Sequence, residues 1–214
     1  MTIAGSTHER PDGVTVITPT LASRADLLAE ATASVAAQTY TGPVVHAVGR
    51  DRFRRGPARM RNTLLTRATT RWVAFLDDDD VLLPRHLELL VGEGERTGAD
   101  VVGSQYRVEG DDAVHGHVVF DADEMRRGNY LPPTVVARVD AVLRAGAFDP
   151  KDHYEDWGLW VRMLAIGATF TIVPEVTWVK RHRGGNRTFD RRPTTRERVR
   201  YLRRRTRDGW PRGS

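Results

Sequence analysis

Apolar residues fall along this chain in two alternating rhythms. The run VTVITPT, residues 14–20, is β-branched and closed by Pro19 and Thr20, which predicts a buried strand. In SRADLLAEATASVAAQ the apolar positions 27, 28, 31 and 35 keep helical spacing. PVVHAV (43–48), RMRNTLLTRAT (59–69) and RWVAFL (71–76) then predict strand, helix and strand. PRHLELLVGEGERTG, 84–98, predicts a helix with Pro84 in its first turn and a glycine at its end. ADVVGSQYRV, 99–108, predicts a fourth strand. Strand and helix in turn, joined by short right-handed crossovers, build a mostly parallel sheet with helices on both faces.

Past residue 108 the rhythm loosens. HGHVVF (115–120) and TVVARV (134–139) predict short strands, and RVDAVLRAGAF (138–148) a short helix ended by Gly146. YEDWGLWVRMLAIGA (154–168) predicts a longer helix with Trp157, Trp160, Val161 and Leu164 on one face. TFTIVPEVTWVKRH (169–182) predicts a strand broken at Pro174. There is no internal repeat.

A chain of 214 residues fits one α/β domain with a sizeable core. The reading divides it into a polar lead (1–12), a body (13–190) and a basic tail (191–214). The absence of cysteine excludes disulfides, thiolate metal sites and cysteine nucleophiles, so a metal would be held by oxygen or imidazole. No stretch of about 20 apolar residues occurs, and the polar start lacks the apolar centre of a signal peptide. The expectation is a soluble, cytoplasmic protein.

The formal charge of +5 divides unevenly: residues 180–214 carry +11 and the rest −6. With an acidic body, nucleic acid is not the expected partner. In the tail, Thr194 and Glu197 have capping-box spacing and predict a basic helix. That helix could dock on the acidic body, meet an anionic membrane surface peripherally, hold an acidic partner, or stay solvated.

Four aspartates, Asp77 to Asp80, follow the strand RWVAFL directly. In an open parallel sheet, ligands sit beyond the carboxyl ends of the strands, so this run occupies a ligand position. On extended backbone Asp77 and Asp79 would face one cleft and Asp78 away from it. A divalent cation relieves the repulsion of crowded carboxylates, and hard oxygen ligands suit Mg2+ or Mn2+ bridging a diphosphate. A solvated turn is the other reading of the same residues.

The segments VTVITPT, SVAAQTY, ARMRNTLLTRATTRWVAFLDDDD and HYEDWGLWVRM, in that order, resemble the family 2 glycosyltransferases of the GT-A fold. Arg61 and Asn62 stand ahead of Asp77 at the family's interval of sixteen residues, counted from Arg61. Phe75, Leu76, Asp77, Asp79 and Asp80 fill its F-L-D-x-D-D element, and Glu155, Asp156, Leu159, Trp160 and Arg162 its E-D-x-x-L-W-x-R element. The resemblance covers roughly residues 14–190 and implies a Rossmann-like α/β sandwich.

The family's activity would be transfer of a sugar from a nucleoside-diphosphate donor to an acceptor hydroxyl, with Mn2+ or Mg2+ as cofactor and inversion at the anomeric carbon. By the resemblance, Asp77 contacts the donor ribose with Asp78 beside it, Asp79 binds the cation, and Asp156 is the base for the acceptor hydroxyl. From the residues alone, Asp156 serves equally as a first-turn acid of its helix. Glu155 is read as an acceptor contact. Trp157 is read as core or as an aromatic lining the sugar site. Pro19 and Thr20 would lie at the nucleotide base, and Arg61 at the base or phosphates.

The family ends its second strand with an acidic pair, whereas this chain has Gly49 and Arg50 there with Asp51 next. Asp51 is therefore the candidate base reader, and Arg52, Arg54 and Arg55 are candidates for phosphate. His182 is the candidate to complete the cation's shell from a closing loop, between Arg181 and Arg183 and before the hinge glycines Gly184 and Gly185. Acceptor recognition is expected around 115–134, with Asn129 and Tyr130 singled out. The alternatives kept are a catalytically silent nucleotide-sugar-binding domain and, less favoured, a nucleic-acid binder acting through the tail.

Overall fold

Strand β1 (Val14–Thr20) pairs in parallel with β2 (Val44–Arg50), from Val14 opposite Val44 to Thr20 opposite Arg50. Its other edge pairs in parallel with β3 (Trp72–Phe75). The structure, a computed structural model, describes residues 10–181. Between these strands lie α1 (Ala25–Ala36), preceded by a 3-10 turn at Ala22–Arg24, and α2 (Pro57–Leu65). Pro57 sits in the first turn of α2, where its missing N–H costs no hydrogen bond, so the helix starts and ends earlier than its apolar spacing suggests.

The chain continues through β4 (Val81–Leu82), α3 (His86–Thr97), β5 (Val101–Val108), β6 (Val114–His115), α4 (Ala122–Arg127) and β7 (Val136–Arg138). It then forms α5 (Val139–Arg144), α6 (Glu155–Ala165) and β8 (Phe170–Lys180). The sheet order is β2-β1-β3-β7-β5-β8-β4, with β6 on β5. The five long or central strands β1, β2, β3, β5 and β8 share one direction, and the short β4, β6 and β7 oppose it. β7 lies antiparallel between β3 and β5, so the crossover from β3 to β5 spans a strand that arrives later in the chain.

Alternate residues of the central strands feed two cores. Trp72, Ala74 and Leu76 join Val14, Val16, Val35 of α1 and Leu87, Leu90 and Val91 of α3 on one face. Val73 and Phe75 join Ile17, Leu65 of α2, and Trp157, Trp160 and Met163 of α6 on the other. Burial on both faces explains why these strands are apolar without alternation.

Two sequence expectations change here. Residues 115–120 do not form a strand: only Val114 and His115 pair, with Arg107 and Tyr106, while Val118 and Val119 stand 57% and 70% exposed with no apolar partner to hold them. β8 is not broken at Pro174: pairing steps from Val173–Ser104 to Val176–Gln105, so Pro174 and Glu175 bulge out, where a residue without an N–H leaves no ladder bond unmade.

Candidate functional site

β3 ends at Phe75, and the Leu76 N–H still bonds to Ile17 O before the chain turns. Asp77 to Asp80 then form a tight turn in which the Asp80 N–H donates to Asp77 O at 3.1 Å. A turn brings residues three apart together, so Asp80 joins Asp77 and Asp79, which extended backbone does not allow. The three carboxylates offer oxygens within 4.8 Å of one another. Asp78 points elsewhere: it accepts from Thr20 Oγ1 at 2.6 Å and pairs with Arg24 Nη1 at 2.8 Å.

This acidic turn is buried and must be compensated. Arg24, from the 3-10 turn after β1, reaches Asp79 Oδ2 at 2.5 Å with its other nitrogen. Arg181, at the end of β8, donates its main-chain N–H to Asp80 Oδ1 at 3.0 Å and its Nε–H to Asp79 O at 2.7 Å. Its Nη1 is paired with Glu30, while Nη2 is buried without a partner. Burial, then the charge of Asp77, holds the Asp80 carboxyl well above the usual carboxylate range. Burial also pushes Asp78 up, against Thr20 and Arg24. Hard carboxylate oxygens crowded on one side and short of counter-charge fit a divalent cation.

Arg61 links this turn to the other acidic element. From the buried face of α2 it donates Nη2–H to Asp77 Oδ1 at 2.5 Å and Nη1–H to Glu155 at the start of α6. Burial works against its charge, but Asp77 and Glu155 hold it above the ordinary arginine value. Asp156 follows Glu155. Its Oδ2 accepts from Asn129 Nδ2 at 2.9 Å, and its Oδ1 from the Trp157 N–H at 2.8 Å. Burial raises the Asp156 carboxyl; the Trp157 N–H, Arg61 and Asn129 pull it back.

The remaining sequence candidates divide. Pro19 and Thr20 end β1 beside the turn, and Thr20 O accepts the Asp51 N–H at 2.8 Å. The Asp51 oxygens accept from the N–H groups of Phe53 and Gly56. Burial works to raise this carboxyl, but the backbone donors of Arg55, Gly56 and Phe53 leave it lowered, so Asp51 organises its own loop. Trp157 belongs to the core: its ring is buried and its Nε1–H donates to Met125 O at 2.6 Å, which leaves no face toward a sugar. His182, Arg183, the two hinge glycines and the tail lie outside the described residues. Arg24 was missed by sequence reading; its signal, a lone arginine in a loop after β1, does not differ from a solvated one.

Several known proteins resemble this chain. The model of glycosyl transferase family 2 matches residues 47–138. The chain is 28% identical over 131 residues to the amylovoran biosynthesis glycosyltransferase AmsE of Erwinia amylovora, covering 56% of this chain and 48% of that protein. It is 25% identical over 116 residues to the UDP-Glc:alpha-D-GlcNAc-diphosphoundecaprenol beta-1,3-glucosyltransferase WfgD of Escherichia coli, covering 52% and 46%. It thus spans about half the length of these relatives.

Among solved structures, S. aureus TarS 1-349 in complex with UDP-GlcNAc superposes with TM-score 0.70 at 17% identity, over 89% of this chain and 65% of that one. The mannosyltransferase PcManGT from Pyrobaculum calidifontis, in complex with GDP-Man and Mn2+, gives TM-score 0.67 at 20% identity, over 94% and 65%. At these identities the structural likenesses establish the architecture. No helix among the described residues is long and apolar enough to cross a membrane.

Proposed function

We propose that the chain is a metal-dependent, inverting glycosyltransferase of family 2, whose model matches residues 47–138. It moves one sugar from a nucleoside-diphosphate donor to an acceptor hydroxyl. The observation that carries the reading is Arg61: one buried guanidinium bonded to both Asp77 and Glu155 ties the acidic turn to the helix start that bears Asp156. The groups for donor and for proton transfer therefore share one mouth of the sheet.

Asp77, Asp79 and Asp80 would hold the divalent cation, Mn2+ or Mg2+, whose chemistry is Lewis-acid neutralisation of the departing nucleoside diphosphate. Asp77 also lies where a donor ribose would be contacted, with Pro19, Thr20 and Asp51 on the side of the nucleotide base. Asp156 takes the proton of the acceptor hydroxyl. The Asn129 amide and the Trp157 N–H fix its two oxygens, and burial lifts its basicity above that of a solvated carboxylate. Attack assisted by one base, on the face opposite the leaving group, inverts the anomeric carbon. Asn129 thus orients the base.

The name of WfgD gives its acceptor as a diphosphoundecaprenol-linked sugar, and that of PcManGT's complex pairs GDP-Man with Mn2+. Neither fixes the sugar or acceptor of this chain. The body 13–190 is proposed as the transferase unit and the protein as cytoplasmic.

The test is a thermal-shift panel of UDP-, GDP- and TDP-sugars with and without Mn2+ on the full chain. A nucleotide-dependent rise that requires the cation, and is lost in Asp79→Ala, is expected; a panel with no shift refutes the proposal. Release of free nucleoside diphosphate in the presence of acceptor separates a transferase from a domain that only binds its donor.

A further inference from the structure

Beside the site lies a cleft of about 440 Å³ between the 50–55 loop, the outer face of α2 and Pro150. That volume falls in the range of small-ligand sites. Its wall carries Arg50, Arg52, Arg55 and Arg59, all exposed. None of the four forms a salt bridge among the described residues. Asp51, the one acid on the wall, turns its oxygens to backbone N–H groups. Asp51 also acts on Arg55 through its charge, so the wall sets four guanidinium groups against one carboxylate, an excess of positive charge.

The loop is built to hold them there. Arg54 adopts a left-handed backbone, φ 51, between Arg52 and Arg55, which both line the cleft while Arg54 does not. The Arg55 guanidinium sits 5.1 Å from the centre of the Phe53 ring, and that ring is 76% exposed. Planar guanidinium groups converging on a cleft recognise phosphoryl oxygens in pairs of hydrogen bonds.

The cleft shares walls with the site. Arg61 faces the acidic turn from α2, while Arg59, Asn62 and Thr63 of the same helix face the cleft. Asn62 is bonded twice to the backbone of Phe148, Nδ2 to its O at 2.7 Å and Oδ1 to its N at 3.0 Å. Pro150 belongs to the loop that runs from Phe148 into Glu155 and Asp156. The cleft therefore shares α2 with the aspartate turn, Asp51 with the end of β1, and Pro150 with the loop that leads to Asp156; with the donor's diphosphate assigned to the aspartate turn, these arginines are left for a second phosphoryl group.

We propose that this arginine cleft binds a phosphoryl group carried by the acceptor. The proposal rests on the reading of the chain as a transferase and adds the chemical class of its second substrate: a hydroxyl compound bearing phosphate or diphosphate.

The test uses the full chain and the triple variant Arg52→Gln, Arg55→Gln, Arg59→Gln. Inorganic pyrophosphate is titrated calorimetrically in EDTA, and UDP and GDP are titrated separately with Mn2+. The variant is expected to bind pyrophosphate at least tenfold more weakly and the nucleotides within twofold of the parent. Unchanged melting temperature is expected, since the three side chains are exposed; the corresponding lysine variant, keeping charge without the planar fork, recovers part of the pyrophosphate binding.

Equal pyrophosphate binding by parent and variant overturns the proposal. So does a matching loss of nucleotide binding, which would assign the arginines to the donor. Pyrophosphate binding that depends on these arginines in a chain that binds no nucleotide would overturn the transferase reading instead, and leave an anion site without an acceptor.

Discussion

The Asn129 amide nitrogen donates to Asp156 Oδ2 across 2.9 Å. This bond favours the ionised carboxylate and opposes the burial that raises its pKa. Asn129→Leu is therefore expected to move the acid limb of the kcat/KM profile upward, because the base then holds its proton to higher pH. Asp156→Asn should lose about 10²–10⁴ in turnover and keep nucleotide binding. The pH profile of kcat/KM and a nucleotide titration check the pair.

Arg61→Met leaves Asp77 and Glu155 without their shared counter-charge. Breaking a buried ion pair from one side costs about 3–5 kcal/mol, and the lower end applies because Asp77 is partly exposed. Arg61→Lys cannot span both carboxylates with one ammonium and should recover only part. Denaturant unfolding of the three proteins is the measurement.

Arg24 holds Asp78 and Asp79 together in the chain without a cation. Arg24→Gln should lower the melting temperature in EDTA. Added Mn2+ should raise the melting temperature of the variant more than that of the parent, because the ion then supplies the missing positive charge. Equal shifts in the two proteins would show that arginine and ion do not share these carboxylates.

His86 is fully buried, with Nδ1 bonded to Thr177 Oγ1 at 2.7 Å and Nε2 unpartnered. Burial lowers its pKa from 6.5 to about 3. The unfolded chain takes up a proton near the upper value and the folded chain near the lower. The stabilisation is thus complete above pH 6.5 and is lost progressively as pH falls toward 3, up to roughly 5 kcal/mol. His86→Gln should flatten that acid limb of stability, measured as unfolding free energy against pH.

Gly94 lies in α3, and a Cβ there would meet Cη2 of the Trp72 ring at 2.5 Å. The indole is buried and its Nε1–H is held by Glu95 at 2.8 Å, so it has little room to yield. Gly94→Ala should lower stability by about 1–2 kcal/mol, even though alanine favours helix by about 1 kcal/mol. Thermal unfolding decides the sign.

Sequence pattern located β1, β2, β3 and β5 and the helices between them because each buries a continuous apolar stretch or stripe. TVVARV also marked β7, but not its antiparallel place between β3 and β5, since pairing at that distance leaves no periodic trace. α4 was also missed: its six residues bury only Met125 and start from an Asp121 cap. At the site, the run of aspartates marked the position, but alternation along a strand paired only Asp77 with Asp79 and gave no place to Asp80, which the turn folds back onto both. Asn129, singled out for the acceptor, bonds to Asp156, a contact sequence spacing did not foresee. Long-range polar pairing of this kind, between residues 27 apart, carries no local signal.

Arg181, one position past β8, touches the aspartate turn through its backbone as well as its guanidinium. A protein shortened to end at Lys180 would keep all eight strands and both cores, yet expose Asp79 O and Asp80 Oδ1 that this one residue satisfies. The edge strand thus serves the site past its last ladder bond, through a polar seam that one residue closes at the mouth of the sheet.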